Sequence, residues 1–238
     1  MMSKTNGQKT YEYVFNRFSE KVLSGEYKLN DKLPTEREAS EVLGVSRNSI
    51  REVMHMLEIS GLIECVQGSG NYVRCDVQRY LTHYTNMIIA LRGIRHTEVF
   101  KLRRGYEILA LEQAIEIITP EELQEMRQVL SEMDRTFDTA ESAKLDVRFH
   151  ELLLLASHNR LLIMQSSLIS DLTDLFIRNF HVEILQNRER ADILRKSHWN
   201  ILYALEMGDL QAAKEAMEIH MEVVNAQLLE YEEQENEG

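Results

Sequence analysis

Thiol chemistry is the first thing this sequence has little of. Its 238 residues hold two cysteines, Cys65 and Cys75, too few for a disulfide framework or a four-thiolate zinc ribbon. The expectation is a protein of the reducing cytoplasm. Two prolines and ten glycines argue against a loop-rich all-β fold and favour long helices. The opening MMSKTNGQKTYEY has no apolar core behind its lysines, as a secretory leader would require. Runs such as Leu152 to Ala156 are far too short to span a bilayer, so no membrane partner is expected. Strands and helices do not alternate, and no phosphate-binding glycine loop or serine nucleophile elbow occurs. Hydrophobic residues, at 44%, are still plentiful enough to bury a core.

The charge is lopsided. The chain carries −12, yet residues 1–75 balance ten basic against ten acidic residues, and the whole excess lies in residues 76–238. Two units with different work are expected, one over 1–75 whose balanced charge leaves room for a local basic face and one over 76–238 that carries the acidity.

In the first unit Tyr11, Val14, Phe15, Phe18, Val22 and Leu23 recur at helical spacing and stop at Ser24-Gly25. Thr35 and Glu38 fit a capping box that opens a second helix. Gly44 suits the left-handed residue of a tight turn. Ser46 caps a third helix through Ile50, Val53, Met54 and Leu57. Two runs, Leu62 to Val66 and Asn71 to Val73, flank Gln67-Gly68-Ser69-Gly70 and predict a glycine-tipped hairpin. The order is that of a winged helix-turn-helix. The third helix begins Ser46-Arg47-Asn48-Ser49-Ile50-Arg51, so its first turn offers two guanidinium groups and an amide, the groups that read guanine and adenine in bidentate fashion. Taken alone it is equally a surface helix with solvated charges; the full order of elements favours recognition of double-stranded DNA.

LPTEREASEVLGVSRNSIREVMHMLEISGLIECVQGSGNYV closely resembles the N-terminal signature of GntR-type bacterial transcription regulators, from about Thr10 to Val73. The resemblance implies operator contacts from Arg37, Arg47 and Arg51, with the wing-tip Gly68 near the minor groove; Ser46 and Asn48 join them from the chemistry of the helix's first turn. Ser69 departs from the basic or bulkier polar residue often found there.

Residues 76–238 read as helices over roughly 78–93, 96–118, 120–138, 141–157, 159–183, 187–207 and 209–232, giving a mainly α protein. On helical wheels His198 falls among Leu194, Ile201, Leu202 and Leu205, and His220 among Ala213, Ala216, Val223 and Val224. Asp146 and His150 are one turn apart beside Phe149 and Leu153. One carboxylate and three imidazoles thus point inward, a donor set for a divalent transition metal. Packed core histidines are the alternative, and on that ground His55, His83, His96, His158 and His181 are assigned no site. Arg103 lies in the stripe of Val99, Leu102, Tyr106, Ala110 and Ile117. It either meets a carboxylate ligand or forms an ion pair with Glu107.

Asp146-Val147-Arg148-Phe149-His150, Ser157-His158-Asn159, Ser197-His198-Trp199-Asn200-Ile201 and Gly208-Asp209 followed by His220 resemble the FCD effector domain of the FadR subgroup. That resemblance implies a metal at Asp146, His150, His198 and His220, with zinc expected and nickel or manganese as alternatives. It also implies a small ligand beside it.

The reading is therefore a non-enzymatic, ligand-responsive repressor that binds palindromic operator DNA as a homodimer, with Arg103 holding a small carboxylate effector. The rival is a metal-dependent hydrolase using the Asp-His-His-His site. It is disfavoured because no further inward carboxylate stands out as its general base.

Overall fold

The computed structural model describes residues 9–170, 172, 184 and 187–237, and the chain divides into two compact units, Met1–Leu81 and Thr82–Gly238. In the first, α1 (Thr10–Leu23), α2 (Glu36–Leu43) and α3 (Arg47–Ile59) precede a two-stranded antiparallel sheet of β1 (Ile63–Val66) and β2 (Gly70–Val73). The register pairs Ile63 with Val73 and Val66 with Gly70. This is the winged helix-turn-helix that the sequence predicts. Local chemistry sets its boundaries. The Thr35 hydroxyl accepts the Glu38 N–H at 3.3 Å while the Glu38 carboxylate accepts the Thr35 N–H at 2.8 Å, a complete capping box. Gly44, at φ +64°, stops α2 in the left-handed region. Gly61, at φ +73°, lies so close to the chain that an added Cβ would sit 2.1 Å from the Asp76 carbonyl oxygen, so only glycine fits between α3 and β1.

Val14, Leu33, Ala39, Ile50, Val53, Leu57, Ile63 and Val73 form this unit's core. The apolar stripe expected on α1 is only partly inward. Val14 is buried and Tyr11 and Phe18 pack against the core, but Phe15, Val22 and Leu23 are exposed. A small three-helix core covers only a narrow arc of α1, and those three lie beyond it. Asn30 to Leu33 also pair with β2, through Leu33 N–H to Asn71 O and Val73 N–H to Asp31 O, an edge that the sequence does not announce.

The second unit is helical: α4 (Gln78–Arg92, beginning just ahead of it), α5 (His96–Ile117), α6 (Pro120–Arg135), α7 (Thr139–Ala156), α8 (Arg160–Ser167), α9 (Arg188–Met207) and α10 (Leu210–Glu237). α6 stops at Arg135 rather than 138 because Asp138 is spent on the next helix, accepting the N–H groups of Ala140 and Glu141 and starting α7 at Thr139. The helix expected over 159–183 breaks at Leu168, and its stretch 173–183, with His181, lies outside the described residues. α9 and α10 pack as an antiparallel pair on α5, α6 and α7, burying Phe149, Leu111, Met126, Leu130, Leu153, Ile201, Leu202 and Met217 among others. Among the described residues no helix is long and apolar enough to cross a membrane.

The wheel drawn for α5 needs one correction. Its buried face runs through Val99, Phe100, Arg103, Glu107, Ala110, Leu111 and Ala114, whereas Leu102 and Ile117 are exposed. The stripe is rotated toward Glu107 because three other helices, α7, α9 and α10, close on that side. Burying a charged side chain that far is tolerable only where it is paired.

Candidate functional site

The polar interior of the helical unit is a cluster on three helices. α7 supplies Asp146 and His150, α9 supplies His198 and α10 supplies His220, and all four are buried. One ligand atom from each lies within 4.8 Å of the others. His198 Nε2 is 3.1 Å from Asp146 Oδ1 and 3.4 Å from His150 Nε2, and His150 Nε2 is 4.0 Å from Asp146 Oδ2. Nitrogen and oxygen ligands arranged tetrahedrally at zinc distances lie about 3.3 Å apart, so the spacing and the donor types fit a divalent transition metal. Phe149 meets His150 and His198 edge-on, at ring separations of 5.5 and 5.1 Å, and fixes their planes.

Neighbours outside the cluster set the tautomers. The Ser197 hydroxyl donates to the Leu194 carbonyl at 2.7 Å, so its lone pair faces His220 Nδ1, 3.3 Å away, and accepts that N–H. Burial first, then the nearby His198 and His150 rings, hold the His220 imidazole well below its ordinary pKa, and it is neutral as a ligand must be. His150 Nδ1 is 2.5 Å from Glu107 Oε2. Burial alone would raise the Glu107 carboxyl, but Arg103 and His150 outweigh it and hold it at about 2, so this acceptor is ionised and Nδ1 carries the proton. His220, being neutral, keeps Nε2 as the nitrogen with a free lone pair, and on His150 it is Nε2 that faces Asp146 and His198.

Arg103 resolves into the ion pair: its Nε donates to Glu107 Oε1 at 2.5 Å, and the side chains are 9% and 1% exposed. It also lines a cavity of about 250 Å³ with Tyr106, Glu107, His150, Ser166 and Ser170. His150 thus belongs to both the cluster and the cavity wall. The inward carboxylate missing from the sequence reading exists, and it is Glu107. One sign pointed to it, its place one turn after Arg103, but its second partner comes from α7, 43 residues on, and no local pattern shows that. Held between a guanidinium and an imidazole, with both oxygens accepting, it is poorly placed to take a proton from a water, as a hydrolase would need.

The winged-helix unit keeps its polar groups outside. Arg37, Arg47, Asn48, Arg51 and Gly68 are all exposed. Ser46 caps α3, accepting the Ser49 N–H at 3.1 Å. Arg51 is not loose: Nη2 donates to Glu36 Oε2 at 2.8 Å and Nε to Oε1 at 3.1 Å. That bond, with the partial burial of Glu36 opposing it, keeps the Glu36 carboxyl below its ordinary range. At the wing tip Gly68 has φ +75°, and the Ser69 hydroxyl lies 2.6 Å from the Tyr72 hydroxyl. Residue 69, without a long basic side chain, is turned back onto its own hairpin.

Residues 98–223 match the FCD domain, and residues 10–73 match the family described as bacterial regulatory proteins, gntR family. The Uxu operon transcriptional regulator of Escherichia coli (strain K12) is 31% identical over 97% of this chain and 91% of its own. The Exu regulon transcriptional regulator of the same strain is 28% identical over 93% and 85%. A solved structure, Streptococcus agalactiae GntR, superposes with a TM-score of 0.60, covering 91% of this chain and 99% of that one, at 24% identity, a likeness of fold.

Proposed function

Because this chain belongs to the gntR family of bacterial regulatory proteins and carries an FCD domain, it is a DNA-binding transcription regulator and not an enzyme, and we propose that it is a cytoplasmic, ligand-responsive repressor. The observation that carries the sensing half is the buried Asp146, His150, His198 and His220 cluster opening through His150 onto a cavity that Arg103 also lines. When bound there, a divalent metal, zinc for preference, supplies a Lewis-acidic position for an anionic oxygen. The four side chains would hold it, Phe149 and Ser197 keep the rings in place, and Val147, Leu154 and Ile163 give the cavity an apolar wall. Arg103 offers a second cationic group at the cavity wall, so the ligand class that fits is a small carboxylate such as a hydroxy acid or a sugar acid.

On the DNA side, Arg47, Asn48 and Arg51 enter the major groove from the leading end of α3. Arg37 and the Ser46 end of the helix hold phosphates, and Gly68 lets the wing approach the minor groove. One such helix reads too few base pairs for genomic specificity, so the working form is a homodimer on a palindromic operator. The test combines an operator selected from random duplexes with calorimetry of hydroxy and sugar acids on the metal-loaded protein. The expected result is an acid that binds wild type, binds Arg103→Ala much more weakly, and releases the operator. Equal binding by Arg103→Ala removes Arg103 from the site, and an operator affinity indifferent to every bound acid overturns the sensing role.

A further inference from the structure

Glu107 has no task in the function proposed above, yet among the described residues it is one of the most deeply buried charged side chains, 1% exposed. We propose that Glu107 is a positioning residue that couples the metal ligand His150 to the cavity arginine Arg103, so that metal and anionic ligand strengthen each other's binding. The inference rests on the metal reading of the cluster.

Its two oxygens are divided between two partners. Oε1 takes the Arg103 Nε–H and Oε2 takes the His150 Nδ1–H, each at 2.5 Å. Arg103 is one turn away on the same helix, whereas His150 comes from α7, so this carboxylate is also a tether between α5 and α7. On the His150 side the effect is orientation. An acceptor-only partner fixes the proton on Nδ1 and turns Nε2 toward Asp146 and His198, and a ring whose N–H leans on a carboxylate is a better donor at its other nitrogen. On the Arg103 side the effect is placement, since Glu107 accepts the guanidinium's Nε–H and both residues line the cavity. One anion therefore serves two cationic or cation-binding groups. With a cation at Nε2, His150 donates more strongly through Nδ1 and draws charge from Oε2, loosening the hold on Arg103 and leaving it readier for an external carboxylate. An external carboxylate on Arg103 returns charge to Oε2 and strengthens His150 as a ligand. Such coupling is reciprocal by necessity.

The experiment measures Zn²⁺ affinity of the full-length protein by competition with a chromophoric chelator, together with the absorption spectrum of Co²⁺ bound in its place. In Glu107→Gln the amide oxygen can accept from only one partner while its NH₂ opposes the other. The expected result is Zn²⁺ affinity lowered about 10–100-fold with an altered Co²⁺ spectrum. In Arg103→Met the His150 contact survives, and Zn²⁺ affinity stays at or above the wild-type value. Melting temperatures accompany both, because a merely structural ion pair would make Zn²⁺ affinity fall in step with stability in the two variants alike. Should the glutamine variant not fold, Glu107→Asp, which keeps the charge but is too short to reach both partners, reads the same point. Wild-type affinity and spectrum in the Glu107 variants, or an equal loss in Arg103→Met, overturns the inference while leaving the metal site standing. A wild-type protein that takes up no Zn²⁺ overturns the metal reading, and the inference with it.

Discussion

Two arginine–glutamate pairs of the same chemistry sit in opposite settings in this protein. Arg51 and Glu36 face solvent on the winged helix, with side chains 65% and 32% exposed, and Arg103 and Glu107 are shut inside the helical unit. In the first setting water can replace either partner, so the pair contributes little to stability and the arginine can exchange its glutamate for a nucleic acid. In the second, burial is offset by pairing inside the protein, Glu107 accepting from both Arg103 and His150, and removing that carboxylate takes a partner from each. Function follows the same division. The groups proposed to meet DNA are exposed and close together in sequence, and the cluster is buried and gathered from residues far apart.

The largest expected effect breaks the buried pair. Glu107→Ala takes the carboxylate away from Arg103 and from the His150 N–H in the interior and is expected to lower stability by about 3–5 kcal/mol in chemical denaturation; a loss no larger than that of an exposed substitution would place Glu107 in contact with water. Glu36→Ala, the matching change on the surface, is expected to leave the denaturation midpoint nearly unchanged. Next in size are the recognition arginines. Arg47→Ala and Arg51→Ala are each expected to weaken operator binding by about ten- to a hundredfold, with loss of preference at the base each one reads. Melting temperature should not move, because neither side chain is part of the core. Wild-type operator binding should weaken steeply with salt in the same titrations. The smallest effect is local: Thr35→Ala removes half of the capping box on α2 and is expected to cost about 1 kcal/mol, measured by denaturation.

That contrast also explains what the sequence discloses. Thr35 with Glu38, Gly44, Ser46 and the Gly68 hairpin are readable because each is a local device acting within a few residues. The inward turn of Asp146, His150, His198 and His220 is readable from helical periodicity one helix at a time, but their convergence depends on how α7, α9 and α10 pack. Glu36 meeting Arg51, and Glu107 meeting His150, are tertiary events at separations of 15 and 43 residues, with no periodic signature. The same holds for the rotation of α5 that buries Glu107 and exposes Leu102. The exposed Phe15, Val22 and Leu23 make the converse point: apolar spacing specifies a helix, and the breadth of its buried face depends on what packs against it.

The most direct test is the metal content of the full-length protein purified without chelator, measured by elemental analysis beside His198→Ala. The account predicts one divalent transition metal ion per chain in wild type, recovered on reconstitution after stripping, and none held at stoichiometry in the variant. A wild-type protein that carries no metal and takes up none would contradict it, and the three imidazoles would then be packed core residues.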